Sequence, residues 1–161
     1  RHKIEGNVAV ILGKKCNIGS FFATLFSTLM LSFTVLAEPV YPAKLSLSDL
    51  SGMAFNHPST VITEASGKKT LDFSSLKSSD GKFASGMYSA DAQTFDITEP
   101  YGVDEFMFFL EGGVTLTSSD GSAITISAGE AVTIPKEWTG RWETDGYRKI
   151  WVIYSADGSG L

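Results

Sequence analysis

The dipeptide Asp-Gly occurs four times after residue 79, at Asp80-Gly81, Asp120-Gly121, Asp145-Gly146 and Asp157-Gly158, and it leaves few folds open. Asp-Gly is favoured in two-residue hairpin turns because both central residues need positive φ. Around these turns lie short stretches rich in β-branched and aromatic residues. The strands expected are Thr60–Thr63, Thr70–Phe73, Lys82–Ser89, Thr94–Thr98, Glu105–Leu110, Val114–Thr117, Ala123–Ser127, Ala131–Ile134, Gly140–Glu143 and Lys149–Tyr154. A short helix is expected around Leu47–Met53, and no helical period of useful length follows residue 58. Closely spaced short strands without crossover helices predict an all-β domain, an antiparallel double sheet or barrel. Ser-Ser-Asp-Gly stands at both 78–81 and 118–121, which reads as one turn chemistry used twice rather than as a duplicated domain.

Charge and composition exclude several classes of function. The 161 residues carry a formal net charge of −5. Four basic residues (Arg1, Lys3, Lys14, Lys15) and one acid (Glu5) precede residue 38, so the remainder carries a net of −8. Neither nucleic acid nor an anionic membrane surface attracts an acidic body that lacks a basic stripe. With His2, His57 and Cys16 as the whole stock of histidine and cysteine, a histidine cluster, a disulfide framework and a thiolate zinc site are all ruled out.

The first 37 residues read as an address. Lys14-Lys15 is followed by 22 uncharged residues ending in Val35-Leu36-Ala37, ahead of Glu38-Pro39. Positive, apolar and then small is the order of a secretory signal peptide, with residues 1–13 as an upstream extension or a misplaced start. The same stretch is long enough to span a bilayer, so an uncleaved anchor is the alternative. The expected organisation is a signal peptide over 1–37, an irregular, proline-punctuated arm over 38–59 and a β-domain over 60–161, secreted or periplasmic. After cleavage no membrane association is expected.

A spacing pattern narrows the β-domain. Glu105 is followed by six residues and then Gly112; Gly129 is followed by five and then Pro135; sixteen residues separate the two glycines. In an all-β chain this matches the two motifs of the cupin superfamily. The wording is more specific: Asp104-Glu105-Phe106, Leu110-Glu111-Gly112, Asp120-Gly121, Ala128-Gly129-Glu130, Ile134-Pro135, Trp138-Thr139-Gly140-Arg141-Trp142-Glu143 and Arg148-Lys149. Residues 81–154 resemble the ureidoglycine-aminohydrolase-type cupin domains, a branch that includes the cupin of ethanolamine utilisation. The resemblance implies a single-domain cupin, an antiparallel double-stranded β-helix or jelly-roll barrel.

It also implies a metal site formed by two histidines before the motif-one glutamate and one in motif two. Those positions here are Glu99, Tyr101 and Gly140, so only Glu105 remains. No cofactor is expected; Glu105, Glu99 and Tyr101 form an oxygen-only set suited at most to a weakly held divalent cation. Strand alternation puts Glu105, Met107 and Phe109 on one face, which the resemblance turns inward. Gly140 shares its parity with Trp138 and Trp142, so the missing histidine is expected to leave space flanked by two indoles. Lys149 and Trp151 share a face of the last strand, and Lys149 is the candidate cation near Glu105.

The candidate catalytic residues are therefore Glu105, Tyr101 and Lys149, and the candidate ligand-binding residues Met107, Phe109, Trp138, Gly140, Trp142 and Trp151. An aromatic cavity with a few convergent polar groups is the usual construction of a small-molecule site. Each candidate has an ordinary structural alternative: Glu105 paired with Lys149 for stability alone, Tyr101 packed with a satisfied hydroxyl, Trp138 and Trp142 in a core or dimer interface. Arg141, of opposite parity to Trp142, is expected outside, and Glu130 and Glu143 on the solvated surface. His57 is expected in a loop, and no nucleophile-elbow sequence accompanies it. Three functions remain open. One is an exported cupin that binds a small polar or ureide-like metabolite without a transition metal. Another is a hydrolase, lyase or isomerase using Glu105 as acid or base. The third is a structural module that pairs into a homodimer.

Overall fold

The computed structural model describes residues 40–161. The signal-peptide or anchor segment lies outside the described residues. Ser46 opens the helix α1 (Leu47–Leu50) with a capping box, its side chain accepting from the Asp49 N–H while the Asp49 carboxylate accepts from the Ser46 N–H. A 3₁₀ turn over Met53–Asn56 follows.

Seven strands make one antiparallel sheet: β1 (Val61–Ala65), β2 (Lys68–Lys77), β3 (Phe83–Ile97), β4 (Asp104–Ser118), β5 (Ala123–Ser127), β6 (Ala131–Ile134) and β7 (Gly140–Tyr154). The order is β1-β2-β3-β7-β4-β5, with β6 sharing with β5 the free edge of β4. The all-β architecture is the expected one, but ten strands have become seven. β3, β4 and β7 each fuse two of the expected strands into one of 15 residues.

Bulges explain the difference in β4 and β7, while β3 runs against β7 in unbroken register. Asp145-Gly146, expected as a hairpin turn, lies inside β7, with Gly146 at φ 117°. Opposite it on β4, Gly112 has φ 67°, and the register between the strands slips between Phe109 and Glu111 and again between Gly112 and Thr115. A positive-φ glycine serves a bulge as well as it serves a turn. The two glycines also pack face to face: a Cβ on Gly112 would stand 2.0 Å from the Gly146 carbonyl oxygen. The hairpin turns fall at Ser66-Gly67, Asp80-Gly81 and Asp120-Gly121.

Each bulge reverses the inward parity. On β4, Glu105, Met107 and Phe109 are buried before the bulge, and Val114 and Leu116 after it. On β7 the buried series runs Trp142, then Tyr147, Lys149 and Trp151. The sheet thus presents one continuous inner face, on which Ala90, Met107, Phe109, Val114, Leu116, Ile126, Ile134, Trp142 and Tyr147 form the core. Full burial of side chains such as Phe109 and Met107 contributes about 1.5–3 kcal/mol each.

Candidate functional site

One end of this inner face is apolar and filled; the other holds charge around a cavity of about 380 Å³. Glu105 is only 4% exposed. Its strand pairs with Ile134 of β6 on one side and Ile153 of β7 on the other, so the carboxylate is fixed from both edges. Lys149 reaches it from β7, with Nζ 2.7 Å from Glu105 Oε1 and 2.8 Å from the Met107 Sδ. The Tyr101 hydroxyl donates to Glu105 Oε2, so each carboxylate oxygen has a donor.

Tyr101 enters from the loop between β3 and β4. Its N–H bonds the Trp138 carbonyl at 3.0 Å, the Gly102 N–H bonds the Lys136 carbonyl at 2.8 Å, and its ring meets Trp138 edge-on at 6.4 Å. Trp138 is held in turn by its indole N–H on Ser118 Oγ at 3.1 Å. Two loops distant in sequence therefore aim one phenol at Glu105.

Aromatic rings close the site around Lys149. The ammonium stands 5.4 Å from the Trp142 ring centroid, 5.7 Å from Tyr88 and 5.8 Å from Tyr147, within cation–π range. Phe95 stacks on Trp142 at 6.0 Å. Burial pulls the Lys149 ammonium below its ordinary pKa of 10.5, against the upward pull of Glu105 and the smaller one of Asp72. Burial, seconded by the Glu105 charge, raises the Tyr101 phenol, and burial also holds Tyr147 well above 10.0.

The structure brings Glu105, Tyr101, Lys149, Trp142 and Trp151 together on the cavity wall. The other expected binding residues lie elsewhere. Met107 and Phe109 are wholly buried beneath it, and Trp138 is half-buried behind Tyr101. Gly140 offers no space: a Cβ there would stand 2.2 Å from the Thr117 carbonyl oxygen and 2.7 Å from the Trp138 ring. The β4 backbone and the Trp138 indole crowd this position, which corrects the expectation of a vacant histidine position. Glu99 is exposed and does not line the cavity. His57 is exposed, its Nδ1 2.7 Å from Ser59 Oγ, and Arg141 pairs outside with Asp96 at 3.1 Å.

These residues do not fit a divalent cation. The one carboxylate at the metal position already faces an ammonium 2.7 Å away, its second oxygen accepts from a phenol, Glu99 is outside and Gly140 has no side chain. Among the described residues no group of three or more His, Cys, Asp or Glu is placed to hold a metal ion.

Sequence reasoning missed eight residues of the cavity wall, Asp72, Tyr88 and Tyr147 among them. Asp72 is half-buried on β2, and burial raises its carboxyl pKa. The Trp151 indole opposes that shift, although Asp72 Oδ1 and Trp151 Nε1 do not reach hydrogen-bond geometry. Trp142 Nε1 is likewise without a protein partner. A lone acid in the apolar run Thr70–Phe73 was the available signal for Asp72. Tyr147 follows from carrying the Trp151–Lys149 alternation two residues back, into what reads as a turn.

Residues 78–150 match the family described as EutQ-like cupin domain. Among solved structures, the EutQ protein of Clostridium difficile is 24% identical, with a TM-score of 0.47, over 64% of this chain and 75% of that one. A DUF861-family protein of Pseudomonas syringae pv. tomato is 16% identical, with a TM-score of 0.53, over 58% of this chain and 43% of that one, and supports the fold. A DUF861-family protein of Thermotoga maritima is 32% identical, with a TM-score of 0.37, over 40% of this chain and 73% of that one. No curated protein matches the chain.

Proposed function

The chain belongs to the cupin superfamily, with a EutQ-like cupin domain over residues 78–150, and from that premise we propose that it binds a small polar metabolite in the cavity beside Glu105 without a metal ion. The observation that carries this is the Lys149 ammonium, fixed 2.7 Å from Glu105 Oε1 in the wall of an aromatic cavity. A cation is thus built into the protein where the fold's metal would supply one. The cavity volume of about 380 Å³ falls in the usual range for small-molecule sites.

The unpaired groups indicate the ligand's chemistry. The Trp142 indole N–H is a donor without an acceptor, and the Trp151 indole N–H and Asp72 Oδ1 lie near each other short of hydrogen-bond geometry. Buried polar atoms of this kind are costly unless something satisfies them. An amide or ureide carries a carbonyl acceptor and N–H donors on one planar frame, which also stacks on aromatic faces. The basic, uncharged and small-residue order before Glu38 supports export to the periplasm or beyond as the setting.

The test is calorimetric titration of the full chain, with EDTA present, against small amides and ureides, acetylurea and hydantoin among them. Binding with a Kd of about 1 mM or tighter is expected, weakened at least about tenfold in Glu105→Gln. No binding by any member of the panel contradicts the proposal. A second function, turnover with Glu105 as acid or base, is favoured by the Tyr101–Glu105–Lys149 chain of donors and acceptor. Conversion of a bound panel member, abolished in Glu105→Gln, distinguishes it.

A further inference from the structure

We propose that Lys149 is a nucleophile, capturing the carbonyl group of a small aldehyde or ketone in this cavity as an imine. The inference rests on the cavity being a ligand site and names the class of compound that would react there. Three observations carry it. Lys149 lines the cavity and is only 5% exposed, whereas Lys44, Lys68, Lys69, Lys77, Lys82 and Lys136 are all on the surface. Its amine is walled by Trp142, Tyr88 and Tyr147, the desolvated setting in which a lysine becomes a nucleophile. Glu105 Oε1 lies 2.7 Å from Nζ, with the Tyr101 hydroxyl on its other oxygen, so a proton acceptor and a second proton carrier adjoin the amine.

The steps balance. The ammonium passes a proton to Glu105, leaving a neutral pair. The Nζ lone pair attacks the carbonyl carbon, forming the C–N bond as the C=O π bond breaks toward oxygen. Protons from nitrogen and from Glu105, relayed with Tyr101, reach that oxygen; the C–O bond breaks, water leaves, and the C=N bond forms. Carbonyl compound and ammonium give protonated imine and water, with Glu105 again a carboxylate and no oxidant, reductant or metal.

The apolar walls fit an aromatic or short aliphatic carbonyl compound, so the probes are benzaldehyde and acetaldehyde. Each is incubated with the full chain and reduced with sodium borohydride, and the adduct is located by mass spectrometry of peptides. The expected result is one adduct per chain, on Lys149, formed at least about tenfold faster than on any surface lysine and about 100-fold more slowly in Glu105→Gln. No preferential adduct on Lys149 with either probe overturns the proposal, and so does an unchanged trapping rate in Glu105→Gln. Benzyl alcohol, which cannot form an imine, separates the two levels. If it shifts the thermal midpoint of the wild-type chain while Lys149 stays unmodified, the carbonyl chemistry is overturned and the ligand site stands. If neither compound binds, the carbonyl chemistry falls, and the ligand site falls with it only if no amide or ureide of the panel binds either. Because the adduct is mapped on the wild-type chain, the test does not depend on the folding of a Lys149 variant.

Discussion

Phe109 and Glu105 lie on the same face of the same strand, four residues apart, and are equally inaccessible, at 0% and 4% exposed. Their surroundings are opposite. Phe109 belongs to the apolar core cluster, with the Tyr147 ring edge-on at 5.4 Å. Glu105 meets an ammonium and a phenol, and the cavity beside it has unpaired indole and carboxyl groups. One end of the interior is solved as a packing problem. The other keeps charges that packing alone would discard, because a buried ion pair seldom outcompetes apolar residues of the same volume. Polarity retained at such a cost is the ground on which the ligand site is proposed at this end.

Breaking the packed end has the largest expected effect. Phe109→Ala leaves a void in the core and loses about 3–5 kcal/mol in urea denaturation, while ligand affinity per folded molecule stays the same. At the charged end Glu105→Leu strands a buried ammonium and loses a comparable 3–5 kcal/mol. The double variant Glu105→Leu with Lys149→Met recovers most of that loss, or exceeds the wild type, and no longer binds any panel ligand. A double variant as unstable as the single one would show that the pair is structural and erase the contrast between the two ends.

Smaller changes sharpen the comparison. Tyr101→Phe leaves Glu105 Oε2 without its donor and costs about 1–3 kcal/mol, again by urea denaturation, with ligand binding weakened. Gly140→Ala, at a position where a Cβ would meet the Thr117 carbonyl oxygen, costs about 1–3 kcal/mol through overpacking and gains no metal affinity.

The smallest effect is in the alkaline limb. Tyr101 and Tyr147 are raised above 10.0 in the folded state, so their contribution is whole below pH 10 and falls as the unfolded phenols ionise above it. Lys149 runs the other way: lowered from 10.5 with Glu105, Asp72 and the Tyr88 ring facing it, its contribution improves with pH only up to 10.5. Above pH 10.5 the phenols set the slope, and Tyr101→Phe flattens it by up to about 1.4 kcal/mol per pH unit. Denaturant midpoints at pH 10.5, 11 and 11.5, chosen as the experimental points, measure it.

The legible and illegible parts of this molecule divide at the bulges. Alternation over Glu105, Met107 and Phe109 placed three side chains on one face, and the shared parity of Lys149 and Trp151 brought a cation and an indole to the same wall. Such inferences need only a regular strand. Asp145-Gly146 defeated them, because a positive-φ glycine suits a hairpin turn and a bulge alike; read as a turn, it hid Tyr147 and split β7. Gly140 failed for another reason. That its Cβ would strike a carbonyl of β4 is a fact of two strands in space, and nothing in the residues around Gly140 records it. Asp72 and Tyr88 come from β2 and β3, whose approach to Lys149 depends on the order of the sheet rather than on any motif.

The central claim is that Lys149 is the cation of this cavity. It is tested most directly by calorimetric titration of Mn²⁺ and Zn²⁺ into the full chain, purified without a metal-binding tag. The expected result is no saturable binding by either ion at the Glu105 site, with Glu105→Gln giving the same trace. One equivalent of either ion bound by the wild type and lost in Glu105→Gln would contradict it, for the carboxylate would then serve a metal and the ammonium would have to leave.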